Sequence, residues 1–289
     1  MNKSYWFGVL VGLVAVTGLY LPTLVVIESA IAAPQRKAFR MPTPPQGPPP
    51  RGRVRGGAQR SVCPKVDPLL TALVPYTTKQ DPRYAKLPPI EDVWGYTTVA
   101  HPTLWFYVPY AAATGYQATF VLQDDAENEI YRSTIALPTQ PGVIRVQIPP
   151  TAPPLKVGRS YRWLFAVRCD RDESSTAVPD YVEGVIQRVE LSSGLTQKLA
   201  IAPPEERFRL YADAGIWFDT ISTLAELRQQ EPQNQALVDE WQALLESINL
   251  PEIAKQPLVQ LEKSSSRCRG SENSQLLKKS KKSLALGCL

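Results

Sequence analysis

The stretch LKVGRSYRWLFAVRCD, Leu155 to Asp170, alternates in character along its second half. Tyr161, Trp163, Phe165, Val167 and Cys169 fall on one face, and Arg162, Leu164, Ala166 and Arg168 on the other. A period of two is that of a β-strand with one face turned to a core. Ahead of the strand stand Leu155, Gly158 and Tyr161 at L-x-x-G-x-x-Y spacing. The glycine permits a tight bend, the leucine can plug the end of a core, and the phenol can satisfy a backbone group that would otherwise be buried unpaired.

That corner resembles the one in immunoglobulin-like and fibronectin-type sandwiches, where a tyrosine near the start of the sixth strand bonds back to upstream backbone. Here too it precedes a sixth strand. Alternating β-branched and aromatic runs bounded by Pro, Gly, Asn or Asp predict strands near 66–74, 103–110, 117–124, 129–137, 142–149, 160–170 and 182–191. The expectation is a mainly β fold: a seven-stranded antiparallel immunoglobulin/fibronectin-like sandwich over 63–191. Beyond Leu191 the pattern turns helical, with helices expected at 207–214, 217–230 and 234–248. Tyr211 to Asp219, with Leu224, Leu227 and Pro232, resembles the second half of one tetratricopeptide unit. A single unit does not stand alone, so the helical appendix, 192–261, is expected to pack on the sandwich or on a partner.

The ends of the chain speak to address. Lys3, the apolar run from Tyr5 to Ile27 and the small residues before Ala33 read as a signal peptide over 1–32, cleaved near Ala32-Ala33. The competing reading is an uncleaved anchor, which alone would bring the chain to a membrane. Residues 33–62 are Pro-, Gly- and Arg-rich and read as a disordered linker; 262–289 reads as a disordered basic tail. The net charge of +5 is therefore misleading, because the tails are basic and the residues between 61 and 261 are net acidic. Positive charge confined to arms, on an exported chain, argues against nucleic acid and leaves contact with an anionic envelope polymer open.

Of Cys63, Cys169, Cys268 and Cys288, the first two belong to the predicted folded body. They are expected to form a disulfide, which an exporting compartment allows. No Cys-x-x-Cys or His–Cys grouping points to a metal, and no cofactor motif is present. The single histidine, His101, stands beside Pro102 at a strand entrance, so nucleophile–histidine catalysis has one candidate in the whole chain. Carboxylates gather at Asp124, Asp125, Glu127 and Glu129 and again at Asp170, Asp172 and Glu173, where turns are expected. The run TLWFYVPY places Trp105 and Tyr107 on one strand face; with Tyr110 and Trp217 they make a candidate binding platform unless the helices cover them.

Cys63-Pro64, Leu70 to Pro75, Pro102 to Tyr110, Phe120 to Asp124, Tyr161-Arg162-Trp163, Cys169-Asp170, Val182-Glu183-Gly184 and Gly215 to Asp219 together resemble the cyanobacterial domain-of-unknown-function family 928. The resemblance covers residues 60 to 260 and implies an exported cyanobacterial protein, with no activity attached. The leading expectation is a non-catalytic, exported binding or scaffolding module whose partner is a protein or an envelope polysaccharide. Its competitors are a glycan-acting enzyme using paired carboxylates and a membrane-tethered structural protein.

Overall fold

A computed structural model describes residues 39–57, 61–84, 86–113, 115–170 and 176–261, all within the compact unit Arg36–Leu289. The signal-like segment and the basic tail with Cys268 and Cys288 lie outside the described residues. Ten strands come first: β1 (Arg51–Gly52), β2 (Thr71–Ala72), β3 (Tyr76–Lys79), β4 (Ile90–Thr97), β5 (Thr103–Val108), β6 (Gln117–Gln123), β7 (Glu129–Ile135), β8 (Gly142–Gln147), β9 (Ser160–Arg168) and β10 (Asp180–Arg188). Five helices follow: α1 (Ser193–Ile201), α2 (Pro204–Asp213), α3 (Trp217–Gln230), α4 (Gln235–Glu246) and α5 (Pro251–Ala254).

The strands form two sheets. The larger has the order β1-β4-β10-β9-β6-β7, with β3 also on β4; the smaller has the order β2-β5-β8. The alternation that announces β9 is what builds the core, since Tyr161, Trp163, Phe165 and Val167 are buried. Phe106 of β5 stacks on Phe165 at 4.5 Å between ring centroids and meets Trp163 edge-on at 5.7 Å, so the small sheet lies face to face with the large one. At the corner, the Lys156 backbone N–H donates to the Tyr161 hydroxyl at 3.0 Å, Leu155 is fully buried, and Gly158 takes the positive φ of +78° that the turn requires.

Two expectations about the strands need correction. The large sheet is mixed, not antiparallel, because β10 runs parallel to β4, pairing Val185 with Trp94 and Arg188 with Thr97. Moreover, β4 itself escaped the strand pattern: IEDVWGYT carries two acids and a glycine, which ordinarily disfavour strands. Neighbouring segments take up one carboxylate oxygen of each acid. Glu91 accepts from the Val54 N–H at 2.8 Å, and Asp92 accepts from Lys79 Nζ at 2.6 Å.

A third correction concerns the supposed linker, 33–62. Residues 39–57 are part of the folded unit. Phe39 packs edge-on against Trp217 at 4.8 Å, Tyr96 donates its hydroxyl to the Thr43 carbonyl at 2.8 Å, and β1 then joins the large sheet. Arg53 exchanges backbone bonds with Glu183, after which Val54 and Gly56 bond to Ala72 and Leu70 beside β2. The arm therefore crosses from one sheet to the other. Few apolar groups are needed for this, because an acidic body supplies acceptors for an arginine-rich strand: Arg55 reaches Glu252 at 2.9 Å and the Gly57 N–H reaches Asp180 at 2.6 Å.

Three of the helices, α2, α3 and α4, fall where the sequence predicts them, whereas α1 and the short α5 lie outside the expected segments. α3 spans Trp217–Gln230, and Asn234 caps α4 by accepting from the Ala236 N–H. α3 lies against strands of both sheets, β4 and β5, and its buried residues join the same core as the strands. Asp219, in its first turn, accepts from the Thr97 hydroxyl at 2.7 Å and from both the hydroxyl and N–H of Thr98, fastening the helix to the end of β4.

Candidate functional site

The expected aromatic platform is interior. Trp105 is 1 % exposed, Tyr107 4 %, Tyr110 4 % and Trp217 0 %. The reason is that β5 is covered on both faces, by the large sheet on the Phe106 side and by the helical layer on the other. The Trp105 indole donates to Ser222 of α3 at 3.1 Å, the Trp217 indole to the Leu73 carbonyl at 2.8 Å, and the Tyr110 hydroxyl to Asp180 at 2.7 Å. Desolvation, reinforced by that Asp180 bond, pushes the Tyr110 phenol far above its ordinary pKa.

Most of the other sequence candidates are engaged by neighbouring groups; Asp170 lies 3.6 Å from Arg168, with both of its oxygens buried and without a hydrogen-bond partner among the described residues. His101 Nε2 lies 3.0 Å from the Ala152 carbonyl oxygen. Asp124 closes its own turn by accepting from the N–H groups of Ala126 and Asn128, and the Asn128 bonds hold its carboxyl below the usual range. Asp125 pairs with Arg159 at 2.6 Å, and Glu129 pairs with Arg132. Asp172 and Glu173 lie outside the described residues. Cys63 and Cys169 are joined in a disulfide that spans 106 residues. Among the described residues no group of three or more His, Cys, Asp or Glu could hold a metal, and no helix is long and apolar enough to cross a membrane.

The outer face of the large sheet is only partly open: Val121, Val185 and Trp94 are buried, while Leu164 and the arginines beside them are half-buried or exposed. Residues directly opposite each other across paired strands project to the same side. One such row runs Arg132, Val121, Leu164, Glu183, Arg53 across β7, β6, β9, β10 and the chain just after β1. The next runs Gln123, Arg162, Val185, Trp94. The face thus carries a band of Val121, Leu164 and Val185 flanked by arginines.

Its most distinctive part is the arm. In RGRVRG, Gly52 and Val54 turn inward: Val54 is fully buried, and a Cβ on Gly52 would lie 2.5 Å from the Glu183 carbonyl oxygen and 2.8 Å from the Val93 Cβ. Arg51, Arg53 and Arg55 therefore turn outward, with alternate side chains about 6.6–6.8 Å apart along an extended chain. Arg55 is occupied, by Tyr76, the Asn249 carbonyl and Glu252. Arg53 lies over the Tyr181 ring, its guanidinium carbon 4.8 Å from the centroid. Neither Arg53 nor Arg51 makes a side-chain ion pair among the described residues. They line a concavity of about 400 Å³ together with Pro88, Pro89, Ile90, Glu91 and Glu183. A guanidinium whose face is held by a tyrosine still offers its N–H edge, which matches the two oxygens of a carboxylate or sulfate.

This strand was legible in principle, because arginine alternates with small or apolar residues from 51 to 56. Proline on one side and the overall composition hid that period of two. Residues 55–258 match the family described as Domain of Unknown Function (DUF928). Among curated proteins none matches the chain. The family match begins at Arg55, where the arm crosses between sheets, so Arg51 and Arg53 stand just ahead of it.

Proposed function

The chain belongs to the DUF928 family, and from that premise we propose that it is a non-catalytic, exported binding or scaffolding module of the cell envelope. The observation that carries the reading is the pair Arg51 and Arg53, two outward guanidinium groups without ion partners among the described residues, on a body that is otherwise net acidic. An acidic protein that holds bare cations on one face is suited to an anionic partner that would be repelled elsewhere on its surface. The partner chemistry that fits is an envelope polysaccharide bearing carboxylates or sulfates. The disulfide supports export, since such bonds persist in oxidising compartments. The Leu155–Gly158–Tyr161 corner supports kinship with immunoglobulin and fibronectin sandwiches, with a parallel pair added.

Co-sedimentation with a polyuronate, a sulfated glycan and a neutral glucan tests the binding reading. Binding to the charged polymers that weakens with salt and is lost in the double variant Arg51→Ala, Arg53→Ala is expected. Equal binding to the neutral glucan, or a double variant that binds like the parent, would remove the proposal's basis. N-terminal sequencing of protein from native cells tests export; a mature chain starting near Ala33 is expected.

A further inference from the structure

A β-sheet edge offers unpaired N–H and C=O groups to any extended chain, and proteins usually blunt such edges. Among the described residues four strands stand at sheet edges, and three of them are plainly blunted. β3 is four residues long, ends in Lys79 and is followed by Pro82. β2 is flanked by the arm: the Ala72 N–H donates to the Val54 carbonyl at 2.9 Å and the Gly56 N–H to the Leu70 carbonyl at 2.7 Å. β8 is flanked by Pro257 to Val259, which exchange bonds of 2.7 and 2.8 Å with Val143.

β7 is the least blunted. Its seven residues, EIYRSTI, hold neither proline nor lysine; a register shift interrupts its pairing with β6 at Ile130, but from Tyr131 to Ile135 the strand is regular and, among the described residues, pairs only with β6. Glu129 and Arg132 form an ion pair with each other, so the strand presents no net charge to an incoming chain.

We infer that β7 is a self-association edge, pairing antiparallel with β7 of a second copy of this chain about a two-fold axis. Such an axis stands perpendicular to the sheet and preserves its faces, so opposed residues must share a face and their numbers must sum to an even value. Centring the pair on Ser133 sets Tyr131 against the partner's Ile135, Arg132 against the partner's Thr134, and each of these contacts again by symmetry. Aromatic against β-branched is a favourable cross-strand pair. Centring it on Arg132 instead opposes two arginines, which is destabilising. Centring on Tyr131 would run through the register shift at Ile130, and centring on Thr134 would run past the end of the strand, so Ser133 is the centre that keeps the pair within the regular stretch, and a second copy of the strand supplies every partner. This edge is independent of the arginine face.

Position 134 reports on the register, because Thr134 is exposed and its replacement leaves the core intact. Sedimentation equilibrium on the full chain, with free thiols blocked by iodoacetamide, is expected to show a monomer–dimer equilibrium. Thr134→Glu places a carboxylate opposite the partner's Arg132 twice and should tighten the dimer about two- to thirty-fold; Thr134→Lys should loosen it by a similar factor. A chain that stays monomeric at every concentration overturns the inference. So does a dimer that neither substitution moves, or that both move in the same direction.

Discussion

Two segments of this molecule exchange the roles their composition suggests. β5, with Trp105, Phe106 and Tyr107, has the side chains of a recognition surface and is interior; β1 and its continuation, RGRVR, have the composition of a solvated linker and form part of a sheet. The difference lies in what faces each strand. β5 is sandwiched between the large sheet and α3, so both sets of its alternating side chains leave water. β1 has a core on one side only, so a glycine and a valine suffice inward and arginines are free outward. An aromatic run is thus a weak sign of a binding face unless something leaves that face uncovered.

The comparison breaks most readily at β5. Trp105→Ala should cost about 3–5 kcal/mol in urea unfolding, whereas a surface tryptophan would cost little. Replacing Cys63 and Cys169 by serine should cost about 2–5 kcal/mol, measured the same way. Val54→Ala, which tests whether the arm is truly docked, should cost about 1.6 kcal/mol for the two methyl-sized groups lost. A value near zero would return the arm to the status of linker. Arg51→Ala and Arg53→Ala should each change stability by less than about 0.5 kcal/mol while weakening binding to anionic polymers.

Asp219 sharpens the comparison from the covered side, because it holds α3 in place over β5. Its carboxyl is 7 % exposed and burial raises its pKa above the ordinary 3.8, against the lowering effect of the Thr97 and Thr98 bonds. A raised folded pKa favours the protonated form in the native state, so this contribution is fully present below the unfolded value. It is lost as pH rises from 3.8 through the folded pKa. Asp219→Asn should flatten that part of the stability–pH curve, as read from urea midpoints across the acid range. An unchanged slope would show that another group titrates there.

The parts of the fold that the sequence made plain are those where one side of an element meets a uniform core. β9 alternates cleanly, α3 ends where Gln230 precedes a proline-containing turn, and Cys63 and Cys169 belong to the body that they link. β4 was hidden because its acids are answered by Lys79 and Val54, residues distant in sequence or in another strand. Its parallel pairing with β10 was equally hidden, since no local pattern encodes the direction of a neighbour. The candidate site was legible only as alternation in RGRVRG, and the partners that make it a strand, Glu183 and Asp92, lie far along the chain.

The crossing of the arm from one sheet to the other also sets how the molecule would bear mechanical load. Tension applied ahead of Arg51 runs along the strand axis, so the bonds to β4, to Glu183 and to the β2 edge are sheared together rather than unzipped in turn. Whatever force passes them next meets the covalent link at Cys63, which hands it directly to the far end of β9. An arm of modest apolar content can in this way act as a strong point of attachment.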